Sequence, residues 1–367
     1  EIPGPVWVSS PVARHVACPT EANTPTICTL EGYEENGLGL NYSISSLPEA
    51  GLLYETSTNF RAFGSDPKHA PDPIGAHQLP FLITDPLHGV VYVPPFNVWP
   101  PEGYWASFTY VVVAADPGAA RANISEGGLV VLVRADGRVA GSTFDLEDIG
   151  GWFISGNLGG PNIPSGGLLH QATTWGSLSH YVYGVDEVQY MDFATGLDKT
   201  RWYFEASPER FHRPELAVAY GGVLRFTVRS LYGNFSELNS PLDWVTLECE
   251  ACDSGYGIRL VRFVDEHFWW DGAEVDVELK LTAEEKWMRD PLNAALDYDA
   301  ISECEVAVVL SNLSRVAILG DFTRGGEGVA IDNVVMLVSP TQPAYPIECQ
   351  QGCTCDHDPA LQRLSCC

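Results

Sequence analysis

Arg201-Trp-Tyr-Phe-Glu-Ala-Ser-Pro-Glu-Arg-Phe211 is followed shortly by Ala219-Tyr-Gly-Gly-Val-Leu-Arg-Phe-Thr-Val228. Trp202, Tyr203 and Phe204 are strong strand formers, and Pro208 marks the turn that stops them. Gly221 and Gly222 give a bend. Beyond it Val223, Arg225 and Thr227 alternate with Leu224, Phe226 and Val228, the period-two pattern of a strand with one dry and one wet face. The same pattern spreads outward. Tyr256-Gly-Ile-Arg-Leu-Val-Arg-Phe263, Glu278-Leu-Lys-Leu281, Val316 to Leu319 and Ala330-Ile-Asp-Asn-Val-Val-Met-Leu337 all read as strands. Upstream, Phe144-Asp-Leu-Glu-Asp-Ile-Gly-Gly-Trp-Phe-Ile-Ser155 opens the set. One all-β unit over residues 141–339 accounts for this order.

A second all-β pattern precedes it, over 15–140. Cys28-Thr-Leu-Glu-Gly-Tyr33, Leu38-Gly-Leu-Asn-Tyr-Ser-Ile44 and Ser46-Leu-Pro-Glu-Ala-Gly-Leu-Leu-Tyr54 are short strands cut by turn residues. Thr84-Asp-Pro-Leu-His-Gly-Val-Val-Tyr-Val-Pro94, Phe108-Thr-Tyr-Val-Val-Val113 and Leu129 to Val133 continue the theme, and Gly64 to Gln78 reads as a surface loop. Residues 1–14 are a Pro-rich arm. Residues 340–367 are a Pro linker and a Cys-rich tail. A chain of 367 residues exceeds one ordinary core, and two domains with additions fit its length.

The formal charge of −28, with no Lys/Arg run, excludes a phosphate-binding surface and so a nucleic-acid partner. The carboxylates read either as a solvated acidic surface or, for some of them, as Ca²⁺ ligands, although no loop has EF-hand spacing. No apolar run reaches the length of a membrane helix. The chain opens on Glu1 rather than Met, and the expectation is a processed protein or a fragment. Ten cysteines are present: Cys18, Cys28, Cys249, Cys252, Cys304, Cys349, Cys353, Cys355, Cys366 and Cys367. An even, clustered set fits disulfides in an oxidising compartment. Proximity favours Cys18 with Cys28 and a bridge near Cys249 and Cys252. Zinc needs a second CxxC to complete Cys249-Glu-Ala-Cys252, and none exists. Four sequons, at Asn41, Asn123, Asn234 and Asn312, predict N-linked glycans. Cysteines and sequons together predict an extracellular, secreted glycoprotein.

The ordered strands of 141–339 resemble the laminin domain IV module, an extracellular jelly-roll β-sandwich. The resemblance rests on the aromatic strand at 202–204, the Tyr220-Gly-Gly bend, the alternating leucines before Trp287 and the Leu310-Ser-Asn-Leu313 turn. Cys249, Cys252 and Cys304 fall outside that pattern. Residues 15–140 resemble Ig-like or cadherin-like modules, through the Leu47-Pro48 turn, the Tyr92-Val-Pro94 strand end and Phe108-Thr-Tyr110. Cys349 to Cys367 is similar to the start of an EGF-like module. The resemblance implies an all-β chain: an Ig/cadherin-like sandwich, a jelly roll and a short disulfide-rich tail. It implies a structural role, with the chain itself or other matrix and fibre proteins as partners. Mastigoneme subunits, the surface hairs of flagellates, are one family with this mixture.

The motifs of chemistry are sparse. The nine histidines show no HExxH pair, Asp253-Ser-Gly-Tyr-Gly257 lacks the G-x-S-x-G elbow, and no dinucleotide or P-loop fingerprint occurs. Gly320-Asp-Phe-Thr-Arg-Gly-Gly-Glu-Gly328 reads as a hairpin loop. The expectation is a non-enzyme. The alternative is a carbohydrate-binding module or a glycan-directed enzyme, with Phe268, Trp269, Trp270 and Trp287 stacking on sugar or packing in a core. Adjacent strand residues face opposite ways, so one of Trp269 and Trp270 is expected to face outward.

Overall fold

The computed structural model describes residues 11–34, 39–56, 72–96, 98, 104–115, 124–125, 127–144, 149, 151–156, 168–171, 180–186, 201–206, 211, 214–235, 238, 242–264, 270–292, 296–323 and 325–339, and the backbone of 356–358 and 363–365. The chain forms two compact units, one of Glu1–Arg138 with Gln342–Cys367 and one of Val139–Thr341.

The first unit begins with β1 (Val12–Ala13), β2 (Val16–Thr20), β3 (Thr26–Thr29), β4 (Gly32–Tyr33) and β5 (Leu40–Ile44). It continues with β6 (Leu52–Glu55), β7 (Phe81–Leu82), β8 (Gly89–Val93), β9 (Tyr104–Ala114) and β10 (Gly128–Arg134). A five-stranded sheet runs β2-β10-β9-β5-β7, and a three-stranded sheet runs β3-β8-β6. Ile44, Phe108, Tyr110 and Val130 of the first share one core with Leu53, Val90 and Tyr92 of the second. That shared core makes the unit a sandwich. β9 shows the cause: alternate residues Ala106, Phe108, Tyr110 and Val112 are buried and the residues between them are not.

Tyr110 ties this core to the strand ends around it. Its hydroxyl lies 2.6 Å from the carbonyl of Arg14 and 2.5 Å from that of Glu31, and it accepts from the Glu31 N–H at 3.2 Å. Burial holds its phenol well above the usual range.

The second unit is a jelly-roll sandwich. Its strands are β11 (Arg138–Ser142), β12 (Phe153–Gly156), β13 (Leu169–Gln171), β14 (Tyr181–Asp186), β15 (Trp202–Glu205), β16 (Val223–Tyr232) and β17 (Asp243–Cys249). They continue with β18 (Ile258–Phe263), β19 (Val275–Lys280), β20 (Trp287–Asp290), β21 (Asp299–Ala300), β22 (Arg315–Leu319) and β23 (Glu327–Leu337). One sheet runs β13-β14-β23-β16-β19, with β11 also on β23; the other runs β12-β15-β22-β17-β18-β20-β21. The strand expected to open the unit at Phe144 is therefore preceded by β11.

Trp202, Phe204 and Trp287 are fully buried, while Tyr203 points to the opposite face of its sheet. A Cβ on Gly222 would sit 1.9 Å from the Leu337 carbonyl oxygen, which explains the glycine at the bend before β16.

Among the described residues one α-helix, α1 (Glu303–Ser311), precedes β22. Ser302 caps it: its hydroxyl accepts from the Glu305 N–H at 3.2 Å and the Glu305 carboxylate accepts from the Ser302 N–H at 2.8 Å. The Gly320–Gly328 segment is not the expected hairpin loop. β22 and β23 lie in different sheets, so the segment crosses the end of the sandwich, and it buries Asp321, Phe322 and Thr323 on the way.

Of the expected arm at 1–14, residues 1–10 fall outside the described residues, whereas Val12 and Ala13 are buried in β1, because their apolar side chains pack into the first unit; the Pro linker that begins at 340 falls outside the described residues. In the tail, β24 (Asp356–Asp358) pairs antiparallel with β25 (Arg363–Ser365). Cys349, Cys353, Cys355, Cys366 and Cys367 also fall outside the described residues.

Candidate functional site

Three of the four sequon asparagines are described: Asn41, Asn234 and Asn312 are all exposed. Asn41 sits on the wet face of β5, between buried Leu40-side and Tyr42-side packing, so its amide points away from the core. Asn234 lies in the turn after β16, and Asn312 closes α1. Asn123 lies outside the described residues.

Cys18 and Cys28 are bonded, with Cα atoms 5.5 Å apart. Because β2 and β3 belong to different sheets, this bridge staples the first sandwich across its core. Cys249 and Cys252 are bonded across the turn that leaves β17. Cys304 is also disulfide-bonded.

Of the aromatic pair, Trp270 is the buried member. Its ring is 2% exposed, edge-on to Phe235 at 4.6 Å and to Phe322 at 4.7 Å, and its indole N–H donates to the Ala273 carbonyl at 2.6 Å. It is a core residue because the crossover brings Phe322 under it. Trp287 is buried likewise, donating to the Lys280 carbonyl. Trp269 and Phe268 lie outside the described residues.

The surface with the most chemistry is the outer face of the β12–β21 sheet, which sequence reading did not single out. Strand register places Arg315 of β22, Glu248 of β17, Arg259 of β18 and Asp290 of β20 along one line, and Glu205 of β15, opposite Ala317, joins the row diagonally to Arg315. Arg315 reaches Glu205 at 2.8 Å and Glu248 at 3.8 Å; Arg259 reaches Glu248 at 3.3 Å and Asp290 at 3.2 Å. Beside this row Arg315 stands over the Tyr203 ring at 5.9 Å. The Tyr203 hydroxyl donates to Asp243 at 2.6 Å, and Arg201 pairs with the same carboxylate. Burial, then the Asp243 charge, drives the Tyr203 phenol well above its usual range. Exposed aromatics flank the row: Phe153 opposite Glu205, and Tyr298 edge-on to Phe263 at 4.9 Å. The alternation that turns Arg225 on β16 and Glu278 on β19 outward was readable from period two alone. The row across five strands was not, because it depends on strand order.

Each arginine in the row already bridges two carboxylates. A ligand would have to displace an ion pair to use either, so the row favours rigidity over open recognition. Among the described residues no group of three or more His, Cys, Asp or Glu is placed to hold a metal ion, which leaves the calcium expectation without a ligand set there. The buried acids Asp321 and Glu327 are 1% and 0% exposed and closed to a glycoside. No described helix is long and apolar enough to cross a membrane.

No known protein family and no curated protein matches the chain. Among solved structures it is similar to the L4b domain of human laminin alpha-2, over 55% of this chain and 98% of that one, at 15% identity and TM-score 0.37. It is similar to carbohydrate-binding modules from the β-sandwich superfamily over 91% of this chain and 100% of that one, at 7% identity and TM-score 0.30. A putative sugar-binding protein from Bacteroides thetaiotaomicron covers 53% of this chain and 92% of its own, at 15% identity and TM-score 0.24. None of these likenesses assigns a site here; the sites rest on the chain's own geometry.

Proposed function

We propose that this chain is a secreted structural glycoprotein, part of an extracellular matrix or surface fibre of the mastigoneme kind, whose sandwiches act as rigid contact modules and carry out no catalysis. The observation that carries the reading is the placement of its sequons. All three described asparagines are exposed, and they lie on units whose described cysteines are all disulfide-bonded. Exposure at an N-x-S triplet is what glycosylation requires, and bonded cysteines belong to an oxidising compartment. The paired row on the second unit supports the same reading, since a closed ionic seam stiffens a sheet without presenting a cleft.

The test is expression through a secretory pathway, followed by glycosidase digestion and intact mass. Loss of mass on digestion that disappears in Asn41→Gln, Asn234→Gln and Asn312→Gln supports the reading. Unmodified asparagines with free thiols would sink it. Electron microscopy of the native material then separates a fibre component from a dispersed protein.

One observation favours a second reading, glycan binding: Phe153 and Tyr298 stand exposed beside the Glu205–Asp290 row, where sugar rings would stack. Saturable binding on a glycan array that is lost in Phe153→Ala with Tyr298→Ala would replace the structural reading with this one.

A further inference from the structure

The crossover from β22 to β23 carries two carboxyl groups into the end of the second sandwich. Asp321 is 1% exposed and Glu327 0%. One Glu327 oxygen accepts from the Phe322 N–H at 2.7 Å and the Thr323 N–H at 3.4 Å. The other, Oε2, has no hydrogen-bond partner. The two side chains are in hydrogen-bonding contact. Two carboxylates cannot both stay charged in contact in a dry site; one proton held between them removes the repulsion and gives Oε2 its partner.

We propose that Asp321 and Glu327 bind one proton between them, and that this proton latches the crossover onto the end of the second sandwich, so that the latch opens in alkali.

The surrounding groups place the proton. Arg201, at the start of β15, interacts electrostatically with Asp321 and favours its charged form. Glu327 faces no such cation among the described residues. From β14 its register partner is Asp186, itself buried, and just past β16 a Cβ built on Gly233 would lie 3.1 Å from the Glu327 Cβ. Arg324, within the crossover, lies outside the described residues. Burial raises the Glu327 carboxyl to about 8, against the opposing pull of the Phe322 and Thr323 N–H groups and of the Asp321 side chain, with which the proton is shared.

The latch holds more than itself. Phe322, between the two acids, is the floor under Trp270. Thr323 bridges Leu238, in the segment that follows the Asn234 sequon. Loss of the proton leaves two charges in a closed site, and the local remedy is outward movement of the crossover with exposure of Trp270. Glu327 binds its proton more tightly folded than unfolded. Its contribution is fully present below its ordinary value of 4.5, and it is lost as pH rises through about 8.

The test is thermal melting of the whole chain from pH 5 to 9 in chelator, read by tryptophan fluorescence. The wild type should lose about 5–10 °C in the second unit's transition across this range. Glu327→Gln, a neutral isostere of the protonated form, should match the wild type at pH 5 and show a flattened slope. A slope unchanged in Glu327→Gln would overturn the latch. So would stabilisation of the wild type by Ca²⁺ at pH 8, because the pair would then be a cation site. If Glu327→Gln does not fold, infrared spectroscopy of the wild type decides. A protonated-carboxyl stretch present at pH 6 and absent at pH 9.5 supports the proposal, and its absence at pH 6 refutes it.

Discussion

Tyr110 shows how one side chain organises the first unit. Its ring fills the core between the sheets, and its hydroxyl collects the Arg14 and Glu31 carbonyls and the Glu31 N–H at the sandwich end. Tyr110→Phe keeps the ring and removes only the hub. The expected cost is about 1–3 kcal/mol, because part-buried backbone groups at the sandwich end lose a partner. Urea unfolding of the first unit measures it, and a loss under about 0.5 kcal/mol would show that water replaces the hydroxyl. The hub was not legible from sequence. Phe108-Thr-Tyr-Val-Val-Val113 reads correctly as a strand with Tyr110 inward, but the partners lie 79 and 96 residues away. The surroundings of Trp270 were hidden for a related reason. Two adjacent tryptophans argue for opposite faces only on a strand, and Trp270 precedes β19 in irregular chain. Its environment is set by Phe322, far along the sequence.

At the scale of elements, local pattern and tertiary context part company at the same kind of place. β16 and β18 follow from alternation and β15 from its aromatic strand formers, whereas β17 carries no such pattern. The start of α1 was available in Ser302-Glu-Cys-Glu305, a capping-box pattern just before the apolar run from Val306, although only its end at Leu310–Leu313 drew notice. The Gly-rich crossover misled, because glycines that suggest a tight turn serve close packing here: a Cβ on Gly320 would lie 2.0 Å from the Trp202 ring. The disulfides sort by the elements they join. Cys18–Cys28 ties two sheets, whereas Cys249–Cys252 closes a turn with a sequence separation of only 3. Cys18→Ala with Cys28→Ala should cost the first unit about 2–4 kcal/mol. Cys249→Ala with Cys252→Ala should cost the second unit less, because a shorter loop restricts the unfolded chain less. Denaturant melts of the two double variants compare them, and equal losses would show that the turn at Cys249 is held chiefly by its bridge.

Across the whole molecule the two units should answer pH in opposite directions, because His15 in the first and Glu327 in the second are shifted in opposite senses. In the first unit His15, between β1 and β2, accepts the Leu129 N–H on Nδ1 at 3.1 Å and is therefore neutral on that nitrogen. Burial lowers it from 6.5 to about 4. A folded value below the unfolded one means that the contribution is present above 6.5 and lost as pH falls through about 4, at a cost of up to about 3 kcal/mol. In the second unit Glu327 is raised to about 8, so its contribution is lost in the other direction. Each unit has its own sheets, and two transitions are expected in calorimetry. Between pH 6.5 and 4 the first unit's transition should fall while the Glu327 contribution to the second holds or grows. Between pH 6.5 and 9 the second should fall while the first stays level. Other carboxylates titrate near pH 4 in both units, so the decisive comparison is His15→Gln, which accepts the same N–H without titrating. It should remove the acid-side fall of the first transition and leave the second untouched. Parallel movement of both transitions across the whole range, unchanged by His15→Gln, would mean that surface charge rather than these two buried groups governs the response.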